Sequence, residues 1–218
     1  MNYQSGQSGQ SGPFGQSGPF GKKNETQELV KAWAGTSLAF AIAMTGGAIF
    51  QLPWEFAELL LISALTCGVG FVLHELAHRV VARNYGAEAH FAADDTWLLL
   101  SILIAFAGWF VAAPGAVWHS GYITKRQSGM IALAGPATNL VLAAIFLLLM
   151  NTLGKIWWEG EIADFVLTLC FVGYQINAWL GLFNLIPFGP FDGAKVLKWN
   201  QAVFGVAVAI GAFMVFFV

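Results

Sequence analysis

The apolar residues of this chain fall into long runs separated by short polar or Pro/Gly-containing breaks, and the runs set the predicted elements. A helix needs about 20 apolar residues to cross the hydrocarbon layer of a bilayer, and most of the runs approach that length. The first begins in LVKAWAGTSLAF and predicts a helix over 30–50 that stops before Leu52-Pro53. A second helix is predicted over 55–84, through ELLLISALTCGVGFVL into HELAHRVVARNYG, long enough for its last turns to leave the apolar layer. Residues 85–96 are polar, 97–114 are apolar but short for a crossing, and 115–128 predict a small hairpin. Three more helices are predicted over 129–153, 162–185 and 193–217. The pattern therefore predicts an all-α polytopic membrane protein with five to six transmembrane helices. One re-entrant or short segment and small strand or hairpin elements complete it.

Two stretches do not follow this pattern. Residues 1–21 repeat Gln-Ser-Gly with Pro-Phe punctuation and have almost nothing to bury. A disordered tail over 1–24 is expected ahead of one membrane-embedded domain over 25–218. The first apolar run is too long for a secretory h-region and has no small-residue cleavage site behind it, so it reads as an anchor. In NLIPFGPFDG, at 184–193, two prolines and two glycines cannot continue a regular helix. Broken backbone at membrane depth is tolerated only where it is buried in protein or lines a cavity.

Composition agrees with a membrane class: 57% of residues are hydrophobic and 10% charged, with a mean hydropathy of +0.66. A soluble domain carries about a quarter of its residues charged. A net charge of -2 without a basic patch excludes a nucleic-acid partner as an expectation. Cys67 and Cys170 lie in apolar runs and read as small buried hydrophobes. If 97–114 returns to the side it came from, nine of the ten basic residues lie at or near one face, only Lys155 lying opposite. By the positive-inside rule that face is cytoplasmic, and the segments ending near 84 and 184 share it.

HELAH, at 74–78, carries the chemistry. Residues four apart share a helix face, so the imidazoles of His74 and His78 reach one ion, and zinc takes neutral imidazole nitrogens well. Glu75 stands beside that face as a general base, able to take a proton from an activated water and pass it to a leaving amine. Three ionisable groups at the end of an apolar helix are costly unless paired or metallated. The third ligand comes from elsewhere, and Asp192 in the broken segment is the candidate. Its alternative is an interfacial helix cap. Asn184 is a candidate oxyanion donor, with an interhelical hydrogen bond as the competing reading. Asn139, in LAGPATNLVLA, is read as pinning its helix beside the site, and His90 and His119 as incidental. The tryptophans near helix ends, Trp157 and Trp158 among them, fit interfacial belts.

HELAH, LAGPATN at 133–139 and NLIPFGPFDG occur in the order that makes the chain resemble the site-2 proteases, the intramembrane zinc metalloproteases. The resemblance implies one zinc held by His74, His78 and Asp192, water activation by Glu75, and oxyanion or substrate-backbone stabilisation by Asn184. It implies a substrate that is itself a membrane-spanning segment, locally unwound and paired strand-like with 85–96 or 115–128. AAPGAV, at 112–117, resembles a loop of some prokaryotic and archaeal members. The chain departs from larger members in having no stretch long enough for a PDZ-like or CBS-like domain, and in Phe191 before Asp192. Two other readings compete: a catalytically silent membrane scaffold or chaperone, and a metal-ion transporter.

Overall fold

Helix α1 (Glu25–Thr45) begins where the Asn24 side chain accepts from the Thr26 N–H, with Glu25 and Glu28 in its first turn, and ends at Gly46 in the left-handed region. The computed structural model describes residues 24–46, 53–111, 115–155 and 159–218. The predicted tail up to residue 23, the Leu52 break, part of AAPGAV, and Trp157 and Trp158 lie outside the described residues, as does the His119 side chain.

After α1 come α2 (Pro53–Ser63) and α3 (Val69–Asn84), joined without interruption by a wide π-helical turn over Ala64–Gly68. The Ala64 carbonyl accepts the Val69 N–H at the end of that turn, and the Trp33 indole also donates to it at 3.0 Å. Strand β1 (Glu88–Ala93) leads into α4 (Asp95–Ala105), which Asp94 caps by accepting from Thr96 and Trp97. Strand β2 (Gly115–Ser120) returns antiparallel to β1, with Phe91 opposite Val117 and Ala93 opposite Gly115. The rest is helical: α5 (Lys125–Leu153), α6 (Glu161–Asn184), α7 (Asp192–Trp199) and α8 (Gln201–Phe216). Thr124 and Gln127 form a reciprocal capping box at the start of α5.

The number of crossings is lower than the hydropathy pattern predicts. Among the described residues three helices are long and apolar enough to span: Pro53–Asn84 with 32 residues, Lys125–Leu153 with 29 and Glu161–Asn184 with 24. The expectation of five to six transmembrane helices is corrected to these three and a small two-stranded sheet. Each missing span has a local cause. The predicted 193–217 helix breaks at Asn200, whose extended backbone ends α7 and whose side chain caps α8, leaving α8 only 16 residues. Over 97–114 the helix has just 11 residues and stops at Ala105. In α1 the first two turns carry Glu25, Glu28 and Lys31, all committed to contacts with the sheet and its flanks. The segment 115–128 is not a hairpin of its own but supplies the strand that pairs with 88–93.

Three crossings, with α4 too short to cross, bring Asn84, Lys125 and Asn184 to the same face. Helix α5 packs against α3, α6 and α7 and is the scaffold between them. The sheet lies beside α3, and its two outer edges differ. The N–H groups of Phe91 and Ala93 turn away from β2 and donate to Glu25 (3.0 Å) and Glu28 (3.1 Å), so α1 covers that edge. In an antiparallel ladder their partners Val117 and Gly115 then face away from β1 as well. Among the described residues, the outer edge of β2 has no strand beside it.

Candidate metal centre

HELAH lies on α3, with His74 ten residues, or about 15 Å, before the helix ends at Asn84. Both imidazoles are buried and point toward α5. His78 Nδ1 lies 2.7 Å from the Ile131 carbonyl and His74 Nδ1 lies 2.6 Å from the Asn139 amide oxygen. Carbonyl and amide oxygens only accept, so each Nδ1 carries the proton and each Nε2 has a bare lone pair. The two Nε2 atoms are 2.9 Å apart.

Asp192 completes the cluster from the first turn of α7. Its Oδ2 lies 3.0 Å from His78 Nε2 and 3.4 Å from His74 Nε2. The cap position belongs to Phe191, without a side-chain bond, so Asp192 is turned inward and does not cap its helix. Its other oxygen faces Lys195 at 3.9 Å.

Three acceptor atoms from separate side chains thus converge, all within 4.8 Å of one another. Tetrahedral zinc with ligand bonds of about 2.0–2.1 Å places neighbouring ligands about 3.3 Å apart, which this donor set fits. Without a cation the facing lone pairs would repel. Gly135 on α5 leaves the room, since a Cβ there would collide with both Nε2 atoms. Pro136 follows it and lacks the N–H that would bond the Ala132 carbonyl, one residue along from the Ile131 carbonyl that His78 uses.

Glu75 and Asn184 line the same cleft, with Gly115, Ala116 and Val117 of β2 along its wall. The backbone of Val117, turned outward in β2, lines the cleft together with Glu75. Asn184 donates to its own helix at Leu180 (2.9 Å), leaving one amide hydrogen for another partner. Asn139 is fully buried beneath His74, as expected of a residue pinning the helix to the site. His90 is exposed on β1, away from the cluster, and both cysteines are buried and free. Two groups were not anticipated from the sequence: the Ile131 carbonyl and Asn177, which bonds to Asn139. Asn177 sits seven residues before Asn184 on one apolar helix, and that shared face was the available signal.

A multi-pass membrane protein with a single His/His/Asp cluster of this kind, among the described residues, has the metal site of a metalloprotease-like class. The comparisons agree. The chain is 40% identical over 164 residues to "Putative zinc metalloprotease MJ0611" of Methanocaldococcus jannaschii, covering 72% of this chain and 80% of that protein. It is 33% identical over 151 residues to "Putative zinc metalloprotease YwhC" of Bacillus subtilis, 62% of this chain and 66% of the other. With "Zinc metalloprotease MJ0392" of M. jannaschii it shares 30% identity over 165 residues, 75% of this chain but 40% of that longer protein. No family profile and no solved structure matches the chain. The chain belongs to a family of membrane-embedded, zinc-metalloprotease-like proteins.

Proposed function

We propose that this protein is an intramembrane zinc metalloendopeptidase of the site-2 protease kind, hydrolysing peptide bonds in or near transmembrane segments of other membrane proteins. The observation that carries the reading is the convergence of His74, His78 and Asp192 in one cleft that Glu75 also lines. One zinc per chain, bound by those three residues, would supply Lewis acidity to polarise the scissile carbonyl and acidify a water beside it. Glu75 takes the proton of the attacking water and returns it to the leaving amine nitrogen. The free amide hydrogen of Asn184 stabilises negative charge developing on the carbonyl oxygen.

A helical peptide bond is shielded by its own hydrogen bonds and must unwind before water attacks. The outer edge of β2 can take up the unwound strand's backbone groups, whereas α1 already covers the edge of β1. The site is read as nearer the cytoplasmic face because Arg79, Arg83, Lys125, Arg126, Lys195 and Lys198 lie near the ends of the spans that reach Asn84, Lys125 and Asn184.

The test is zinc per chain, by elemental analysis of the purified protein and of Asp192→Ala, followed by cleavage of a membrane-spanning peptide in nanodiscs. About one zinc in the native protein, marked loss in Asp192→Ala, and zinc-dependent cleavage are expected. A native protein with no zinc, or full occupancy after the substitution, would overturn the three-ligand site.

A further inference from the structure

We infer that Asn177, on α6 and outside the cluster itself, is a positioning residue of the metal centre: acting through Asn139, it fixes which nitrogen of His74 carries the proton. The inference rests on the zinc reading above and deepens it.

The argument follows the polarity of amides. Asn177 Nδ2 donates to the Gly173 carbonyl at 2.9 Å, four residues earlier on its own helix. Its Oδ1 therefore faces outward and accepts from Asn139 Nδ2 at 3.0 Å. Asn139 Nδ2 also donates to the Gly70 carbonyl on α3, at 3.2 Å. Both amide hydrogens of Asn139 are then used, and Oδ1 is left to meet His74 Nδ1. The proton must sit on that Nδ1, and Nε2 is held bare toward His78 and Asp192. Turning Asn139 over would set oxygen against oxygen at two contacts, and turning Asn177 over would set its oxygen against the Gly173 carbonyl and its nitrogen against Asn139 Nδ2.

Three details support a relay with a direction. Asn139 and Asn177 are both 0% exposed, so no bulk water substitutes for a lost partner. Gly70 is a close-approach position, where a Cβ would collide with the Asn177 amide. The two ligands are also held differently. His78 is oriented directly by a backbone carbonyl that cannot turn over, whereas His74 depends on two side chains that can. The vulnerability of the site is thus concentrated on the His74 side.

The test compares the native protein with Asn177→Leu, which removes the outward acceptor, and Asn177→Asp, whose neutral carboxyl retains one donor and one acceptor. Zinc dissociation constants come from competition with a chromophoric chelator. The His74 tautomer in zinc-free protein comes from two-bond nitrogen–proton correlations on labelled histidine. Asn177→Leu is expected to weaken zinc binding about 10–100-fold and to populate the other His74 tautomer. Asn177→Asp is expected to stay within about threefold of native, while His78 keeps its tautomer in both. If Asn177→Leu does not fold, Asn177→Ala is read in the same way, with the same expected direction. A merely structural role would lower the unfolding midpoint with the tautomer and dissociation constant unmoved, and that outcome would overturn the relay. Absence of zinc from the native protein would instead overturn the metal reading itself.

Discussion

Among the described residues, two clusters of polar side chains that join the helices are balanced differently. At the shoulder where α1 meets the sheet, Glu25, Glu28 and Asp95 face Lys31, Arg79 and Arg83, in ion pairs of 2.5–3.5 Å. Carboxylate oxygens there also accept the edge N–H groups of β1. At the metal centre Glu75 and Asp192 have one cation nearby, Lys195, and two histidine lone pairs point at each other. The shoulder neutralises its charge within the chain and is architecture. The centre leaves acceptors in excess around one point, which is what a divalent cation requires.

The hardest test of that contrast is Gly135→Ala, which puts a methyl group against both ligating nitrogens. Zinc content is expected to fall to a tenth of native or less, with cleavage abolished and helicity by circular dichroism kept. Unchanged zinc would show that the ion does not sit in this cluster. Glu75→Gln comes next. It should retain zinc and lower the cleavage rate about 10²–10⁴-fold, the usual contribution of a general base. Undiminished cleavage would remove Glu75 from the chemistry.

At the shoulder the effects are smaller and of another kind. Burial raises the Glu25 carboxyl, but the Phe91 N–H, Arg79 and Arg83 together bring it below its ordinary value of 4.5. A lowered carboxylate stabilises the fold fully above that ordinary value and loses the contribution as pH falls through the folded one. Glu25→Gln should therefore cost about 1 kcal/mol or less at neutral pH. In thermal unfolding scans its gap from the native protein should close below pH 4.5, with zinc content unchanged. Smallest of all, His90→Ala on the exposed face of β1 should alter neither zinc nor cleavage. A loss of zinc there would bring the sheet into the metal site.

How much of this was legible in the sequence varied with the kind of signal. HELAH declared itself because ligand spacing on a helix is fixed by the helical repeat, and the Pro/Gly content of 184–193 marked a broken segment. The number of spans was not legible. Asn200 hardly changes the hydropathy of 193–217, yet its extended backbone divides that run in two. Likewise, nothing along the chain showed that Glu25 and Glu28 are engaged by strand N–H groups 65 or more residues away. Asn177 shares a face with Asn184 on α6, but that spacing does not show that its amide reaches Asn139 on α5.

The π-helical turn at Ala64–Gly68 makes the phase of the helix that carries HELAH a local property. A wide turn contains one residue more than a regular one, so everything after it is rotated by about 100° relative to an unbroken helix. The face of α2 and the face of α3 are thus set independently along one continuous rod, the first toward α1 and the second toward α5. Deleting a single residue between Ala64 and Gly68 would leave every ligand in the chain and every hydropathy value nearly unchanged. It would nonetheless swing His74 and His78 a quarter-turn or so away from Gly135, separating the ability to span a membrane from the ability to hold an ion within it.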